Sequence, residues 1–199
     1  MSADHHLIRP QETVALLVID MQLGFDDPAW GPRNNPTLET NVRRLLDAWR
    51  QRSAPVVHIH HASPAPDGRM RLGQPGHAPK PETRPLPAEP VFLKSVNSGF
   101  IGTGLETWLL AQAIGCVVLV GLTTNHCVST TARMAANLGF RTLVVADAAA
   151  AFASTHIDGR PRGADEVHDA ALSDLNGEFA TVTDTCALLA VLAPETVHA

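Results

Sequence analysis

The stretch TVALLVID, residues 13–20, is a nearly continuous apolar run that ends in an acid. Such a run, without alternation of polar and apolar residues, is typical of a strand with both faces covered. Similar runs are PVVHIH (55–60), VFLK (91–94), CVVLVG (116–121), FRTLVVA (140–146) and FATV (179–182). We therefore predict a sheet of six strands between layers of helices.

Helix-period segments alternate with these runs. They are predicted at residues 36–50, 105–114, 126–138, 164–175 and 185–192. Asn35 before Pro36 is a typical helix start, with a capping residue followed by proline in the first turn. This near-strict alternation predicts a three-layer α/β/α fold with a six-stranded, mostly parallel sheet and right-handed crossovers. We expect a single domain over residues 1–199.

Composition excludes several classes of protein. The 199 residues are 45% apolar and 18% charged, which argues against a disordered chain, and the net charge of −5 argues against nucleic-acid binding. No apolar run approaches ~18 residues, so we expect no membrane span. The start MSADHHLIRP lacks a secretory signal pattern. Three cysteines do not indicate a disulfide framework, so we expect a cytoplasmic protein.

Three reactive residues follow predicted strands. Asp20 ends the first, Lys94 ends the third, and Cys127 lies just beyond the fourth, in the first turn of a helix. Ligands of parallel sheets bind beyond the carboxyl ends of the strands. A helix N-terminus and an ammonium favour a thiolate, and a carboxylate can exchange protons with it. Each residue alone has an ordinary structural explanation, but together they indicate a nucleophilic cysteine.

Three blocks that carry these residues resemble a known family. LLVIDMQLGF (16–25), KSVNSGFIGTGLE (94–106) and GLTTNHCVSTTAR (121–133) are similar to the signature blocks of the isochorismatase-like cysteine hydrolases. This family includes nicotinamidases, N-carbamoylsarcosine amidase, ureidoacrylate and biuret amidohydrolases, and isochorismatases. The resemblance implies that Asp20 is the general acid/base, Lys94 its activating partner and Cys127 the nucleophile. It also implies a cis Leu122–Thr123 bond, with the backbone N–H groups of Thr123 and Cys127 forming an oxyanion hole.

The implied function is hydrolysis of a small amide, carbamoyl or ureido compound through a thioester. One alternative is vinyl-ether hydrolysis of the isochorismatase type, with Asp20 as the acid; another is a catalytically silent binding protein on this fold. A small-molecule substrate is expected, without a cofactor. Because many relatives self-associate, the resemblance also implies a homo-oligomer.

Other residues near the blocks are candidates for pocket walls or structural roles. The pocket candidates are Phe25, Trp30, Asn97, Phe100 and His126. The segment of residues 61–90 is rich in proline and glycine and is longer than usual connections, so we expect a loop near the site or at a subunit contact. Cys116 and Cys186 are interpreted as buried packing residues.

Metal binding is not expected. Nicotinamidases carry an Asp-x-His pair and a further His after the second strand for a metal ion. Here the corresponding stretch HIHHASP (58–64) contains His58, His60 and His61 but no Asp between them. These histidines are interpreted as loop residues that bond to backbone or substrate.

Overall fold

A parallel sheet forms the centre of the computed structural model, which describes residues 7–9 and 11–193. The strands are β1 (Val14–Ile19), β2 (Val56–His61), β3 (Val91–Lys94), β4 (Cys116–Leu122), β5 (Arg141–Ala150), β6 (Ser154–Thr155), β7 (Pro161–Arg162) and β8 (Thr181–Thr183). The order β3-β2-β1-β4-β5-β8 is parallel throughout. This confirms the predicted sheet of six strands. The short antiparallel hairpin β6–β7 was not predicted.

Five helices cover the two faces of the sheet. They are α1 (Leu38–Gln51), α2 (Leu105–Ala111), α3 (Ser129–Asn137), α4 (Ala164–Leu175) and α5 (Thr185–Leu192). Alternate β1 side chains contact opposite layers: Leu16 packs with α1 and α5, whereas Leu17 packs with α2, α3 and α4. Both faces of β1 are therefore buried, which explains its continuous apolar sequence. None of the helices in the described ranges is long and apolar enough to cross a membrane.

The start of α1 differs from the prediction. The helix begins at Leu38, and Asn35 does not cap it. Asn35 instead has a positive φ of 48°, a conformation that asparagine tolerates better than most residues. Its side-chain amide donates to the carbonyl oxygens of Ala146 (2.9 Å) and Ala149 (2.6 Å). Asn35 thus ties the segment before α1 to the carboxyl half of β5, which extends past the predicted end to Ala150.

The end of α2 and the exposure of Cys186 also differ from the predictions. The helix α2 ends at Ala111, three residues before the predicted end, and Ala113 follows it with a φ of 52°. Cys186 is exposed on α5, whereas Cys116 is buried as expected. Helical periodicity extends past the real end of α2 because Ala113 and Ile114 are apolar, although Ala113 has left the helical conformation.

Hydrogen bonds hold the segment of residues 61–90 against the carboxyl ends of β1 and β2. The buried Gln22 side chain accepts from the His61 N–H (2.8 Å) and donates to the carbonyls of His61 (3.1 Å) and His77 (2.9 Å). The backbone N–H of Lys80 donates to the carbonyl of Met21 (2.8 Å). After β2 this segment contains only two short 3-10 helices, Pro75–His77 and Pro81–Thr83, and these bonds give it a fixed place beside the strand ends.

A close approach of β1 and β4 aligns the strand ends around Asp20. In the register, Ile19 lies opposite Gly121, whose φ is 118°. A Cβ at Gly121 would lie 2.0 Å from the Ile19 carbonyl oxygen, so only glycine fits there. The residues that follow the two strands, Asp20 and Thr123, consequently reach the same cleft.

Candidate active site

A buried lysine joins the carboxylate and the thiol. Lys94 Nζ lies 2.6 Å from Asp20 Oδ2 and 3.2 Å from Cys127 Sγ. The side chains of Asp20 and Lys94 are both 0% exposed. The structure therefore brings the three sequence-predicted residues together, from the ends of β1 and β3 and from the turn after β4.

Asp20 is held in an unusual backbone conformation at the end of β1. Its φ is 50°, its N–H donates to the Ile59 carbonyl (2.8 Å) and its carbonyl accepts from the Gln22 N–H (2.8 Å). The left-handed region is uncommon outside glycine, although aspartate is enriched there. Asp20 Oδ1 is buried and has no hydrogen-bond partner among the described residues. This oxygen is the free acceptor of the site.

Cys127 lies on a tight turn between β4 and α3. Thr124–Val128 form a single π-helical turn, a feature frequent at functional sites, and the peptide bond Leu122–Thr123 is cis. The Thr123 carbonyl accepts from the N–H groups of His126 (3.0 Å) and Val128 (3.2 Å). This turn places both Thr123 and Cys127 in the wall of one cavity.

A histidine on α4 anchors the same turn. His168 Nδ1 lies 2.8 Å from Thr124 Oγ1, and its Nε2 lies 3.5 Å from the Asn35 amide nitrogen. Burial lowers the pKa of His168, so the neutral ring is favoured. Through this bond, α4 and the segment before α1 share in fixing the turn that carries Cys127.

Burial dominates the protonation of the site. It raises the pKa of Asp20, against the opposing charge of Lys94. Burial, together with the negative charge of Asp20, raises the pKa of the Cys127 thiol to about 12. Lys94 lowers the pKa of the thiol, as expected, but burial and Asp20 outweigh it.

His61, expected to be a loop histidine, lines the cavity beside Lys94. It ends β2, and its Nδ1 lies 3.4 Å from Lys94 Nζ. Burial and the positive charge of Lys94 lower the pKa of His61, so the neutral imidazole is favoured. Its position at a strand end, like those of Asp20 and Lys94, was the signal that could have identified it.

Asp20 and Cys127 open onto a cavity of about 150 Å³. Its lining residues are Asp20, Phe25, Trp30, His61, Met70, Asn97, Thr123, His126 and Cys127. Four of the five predicted wall residues are among them. Phe100 is not: its ring packs in the core under α2 and α3, stacked on Phe140 at 6.0 Å, because the glycine-rich turn around it folds inward. Met70, from the long segment, was not anticipated.

One wall of the cavity is aromatic. The ring centroids of Phe25 and Trp30 lie 5.3 Å apart, and Phe152 lies 6.0 Å and 5.6 Å from them. The indole N–H of Trp30 donates to the Gly24 carbonyl (2.8 Å), which fixes the ring. The opposite wall is polar, with Asn97 Oδ1 at 3.8 Å from Cys127 Sγ.

The histidines of β2 do not form a metal centre with Asp20 and Cys127. His58 Nε2 is 2.8 Å from Glu89 Oε2, and neither His58 nor His60 lines the cavity. The ring of His60 lies 6.2 Å from that of His58 and 6.1 Å from that of His77, centroid to centroid. Within residues 7–9 and 11–193, no three His, Cys, Asp or Glu side chains are grouped to hold a metal ion. The donor set does not fit such a site, and no step below uses a metal.

Comparisons with known proteins agree with this architecture. The Isochorismatase domain model matches residues 14–187. An uncharacterized isochorismatase family protein of Bacillus subtilis, YrdC, is 41% identical over 90% of this chain and 96% of its own length. Nicotinamidase 3 of Arabidopsis thaliana is 30% identical over 85% of this chain and 84% of its own.

A solved structure gives the same result. A member of the isochorismatase family from Chromobacterium violaceum superposes with a TM-score of 0.89 and 46% identity, covering 93% of this chain and 95% of that one. The similarity thus extends over the strands, the helices and the cleft between them.

Proposed function

The chain belongs to the isochorismatase family of hydrolases, and we propose that it hydrolyses a small amide, carbamoyl or ureido compound through a cysteine thioester. One observation carries the proposal. In a buried cleft, a single ammonium contacts both a carboxylate and a thiol, Lys94 Nζ being 2.6 Å from Asp20 and 3.2 Å from Cys127. This arrangement can move a proton away from sulfur without exposing it to water.

The first half-reaction forms the thioester. The Cys127 sulfur attacks the carbonyl carbon while its proton passes to Asp20 Oδ1, the acceptor without another partner. The carbonyl oxygen becomes an oxyanion, which we assign to the backbone N–H groups of Thr123 and Cys127; such a donor typically contributes ~10²–10³ in rate. Asp20 then gives the proton to the departing nitrogen as the C–N bond breaks.

The second half-reaction regenerates the enzyme. Asp20 takes a proton from a water molecule whose oxygen attacks the thioester carbon. The C–S bond breaks, the carboxylic acid product leaves, and sulfur recovers the proton from Asp20. The Lys94 ammonium lies beside both groups and offsets negative charge on Asp20 before the attack and on the substrate oxygen after it.

Amide hydrolysis accounts for the thiol, whereas vinyl-ether cleavage does not. Protonation of an ether requires only an acid, and Asp20 alone could supply it. The Cys127 sulfur, within contact of Lys94 and open to the cavity, has a role only where a nucleophile is needed. A relative named nicotinamidase, 30% identical, supports the same choice.

The test is a screen for ammonia release over small amides and ureido compounds, run with matched variants. We expect Cys127→Ala and Cys127→Ser to lose the activity and to unfold at the same urea concentration as the wild type. Full hydrolysis by Cys127→Ala would exclude the thioester. Pyruvate release from isochorismate without ammonia release from any amide would favour the vinyl-ether reaction. Neither ammonia nor pyruvate from any compound in the screen would favour a binding protein.

Self-association and a cytoplasmic location remain proposals. Light scattering at micromolar concentration tests the first: a homo-oligomer is expected, and a clean monomer would contradict it. Fractionation of the source cells tests the second, since the protein should stay with the cytoplasmic enzymes.

A further inference from the structure

Shape limits what can enter the cleft. The cavity of about 150 Å³ has the volume of roughly five water molecules in the liquid. Met70 is buried against the apolar cluster that contains Phe25, and Trp30 packs against the same cluster. The entering group must therefore be compact, with an apolar face toward these side chains.

Charge limits it further, because the buried charges are already matched. Lys94 and Asp20 form a closed pair, and all the contacts of Lys94 Nζ described above go to Asp20, Cys127 and His61. Among the lining residues within the described ranges there is no arginine and no lysine. A carboxylate on the substrate would enter this cavity without a cation to receive it.

Arg69, a guanidinium outside the lining, also has partners of its own. Arg69 lies over the Trp30 ring, 5.5 Å from its centroid, and its Nε is 2.5 Å from Asp27 Oδ2. That carboxylate neutralises it on the outer side of the aromatic wall. The other imidazole of the lining, His126, is exposed at the mouth, where water screens charges.

The polar side chains that face the cavity are suited to hydrogen bonds with uncharged substrate groups. Because the Lys94 ammonium can only donate, His61 Nδ1 is its acceptor, and the neutral ring then carries its proton on Nε2. His61 thus offers an N–H donor, and Asn97 offers an amide. These groups match the carbonyl and N–H of an amide or urea without adding charge.

From these observations, and resting on the proposed amide hydrolysis, we infer that the cleft selects compact, uncharged amides or ureas and rejects substrates that carry a carboxylate. An anion would lose its hydration in the cavity and gain no ion pair, which is a costly transfer. The discrimination is built into the lining and does not depend on which amide is hydrolysed.

The first experiment uses two alkylating reagents of similar size and different charge. Iodoacetamide is a neutral amide, and iodoacetate is its anionic counterpart; peptide mapping by mass spectrometry gives their rates at each cysteine. The exposed Cys186 is the internal reference, since the same solution modifies both thiols. We expect the ratio of the iodoacetamide rate to the iodoacetate rate to be at least about tenfold higher at Cys127 than at Cys186. Equal or inverted ratios would overturn the inference.

The second experiment does not depend on sulfur chemistry. Binding of malonamide and of malonamate to the Cys127→Ser protein is measured by saturation-transfer NMR. The neutral diamide should bind at least about tenfold more tightly than the anion. Tighter binding of malonamate would overturn charge selection even if the enzyme hydrolyses amides. Conversely, charge selection together with no hydrolysis of any neutral amide would contradict the proposed function and not the inference.

Discussion

The pairing of Lys94 with Asp20 has a consequence for folding that can be measured. In Lys94→Met, the buried carboxylate loses its counterion while keeping a side chain of similar length beside it. Burial already raises the pKa of Asp20 in the presence of Lys94, and both side chains are 0% exposed. Without the ammonium, the folded protein can bury the Asp20 side chain only in its protonated, neutral form.

The sign and size of the effect follow from linkage. The folded variant holds the Asp20 proton at pH values where the unfolded chain, with an ordinary pKa near 3.9, has released it. The proton on Asp20 therefore stabilises the folded variant fully at pH values below the ordinary pKa. This stabilisation is lost as the pH rises toward the raised pKa that Asp20 has in the folded state. For one proton, the free energy of unfolding should fall by about 1.4 kcal/mol per pH unit, or about 2.7 kcal/mol between pH 5 and pH 7.

Urea unfolding at pH 5, 6, 7 and 8 measures this slope relative to the wild type. The double variant Asp20→Asn/Lys94→Met is the matched control, since it removes both charges and should show no extra slope. Lys94→Met should also lose at least about 10² in hydrolytic rate, because a protonated Asp20 cannot accept the thiol proton. A variant with the wild-type pH profile of stability would refute the buried pair as described.

Three further predictions concern residues that support the elements around the site. Burial raises the pKa of Glu39, but its ion pair with Arg33 outweighs burial and holds it at about 2. Glu39→Gln should therefore cost about 1–2 kcal/mol at pH 7 and nothing near pH 2, by urea unfolding. Trp49→Ala, which empties the core under α1, should cost about 3–5 kcal/mol in the same assay. His168→Phe frees Thr124 and should lower kcat by about 10–100-fold with KM unchanged, in steady-state assays.

Strands were predictable because burial on both faces leaves a direct trace in the sequence. The run that ends at Asp20 has apolar residues toward both helix layers, so no other element type explains it. Helix starts were less predictable, since Asn35 carries every local sign of a cap yet bonds to β5, more than 100 residues away. Local preference was overridden there by a tertiary contact that no short-range pattern records.

The meeting of Asp20, Lys94 and Cys127 was predictable for a topological reason, whereas part of the aromatic and apolar wall was not. Asp20 and Lys94 follow strands of one parallel sheet, whose carboxyl ends necessarily share an edge. Met70 and Phe152, by contrast, come from a long connection and from the chain after β5, and their meeting with Phe25 depends on how both segments fold back. A sequence gives the order of loops but not their path.

Protonation was the property most hidden from sequence, and it explains how the site can work while fully buried. In the proposed reaction the starting trio is a carboxylate, an ammonium and a thiol, which together carry no net charge. Ionising the thiol alone would leave one unbalanced negative charge in a low-dielectric cleft, which is why burial drives its pKa to about 12. If the proton moves to Asp20 as sulfur attacks, the trio is left with the one positive charge of Lys94, and the negative charge on the substrate oxygen beside the backbone donors balances it. A substrate carboxylate would add the same kind of unbalanced charge, so the chemistry and the selectivity follow from one electrostatic constraint.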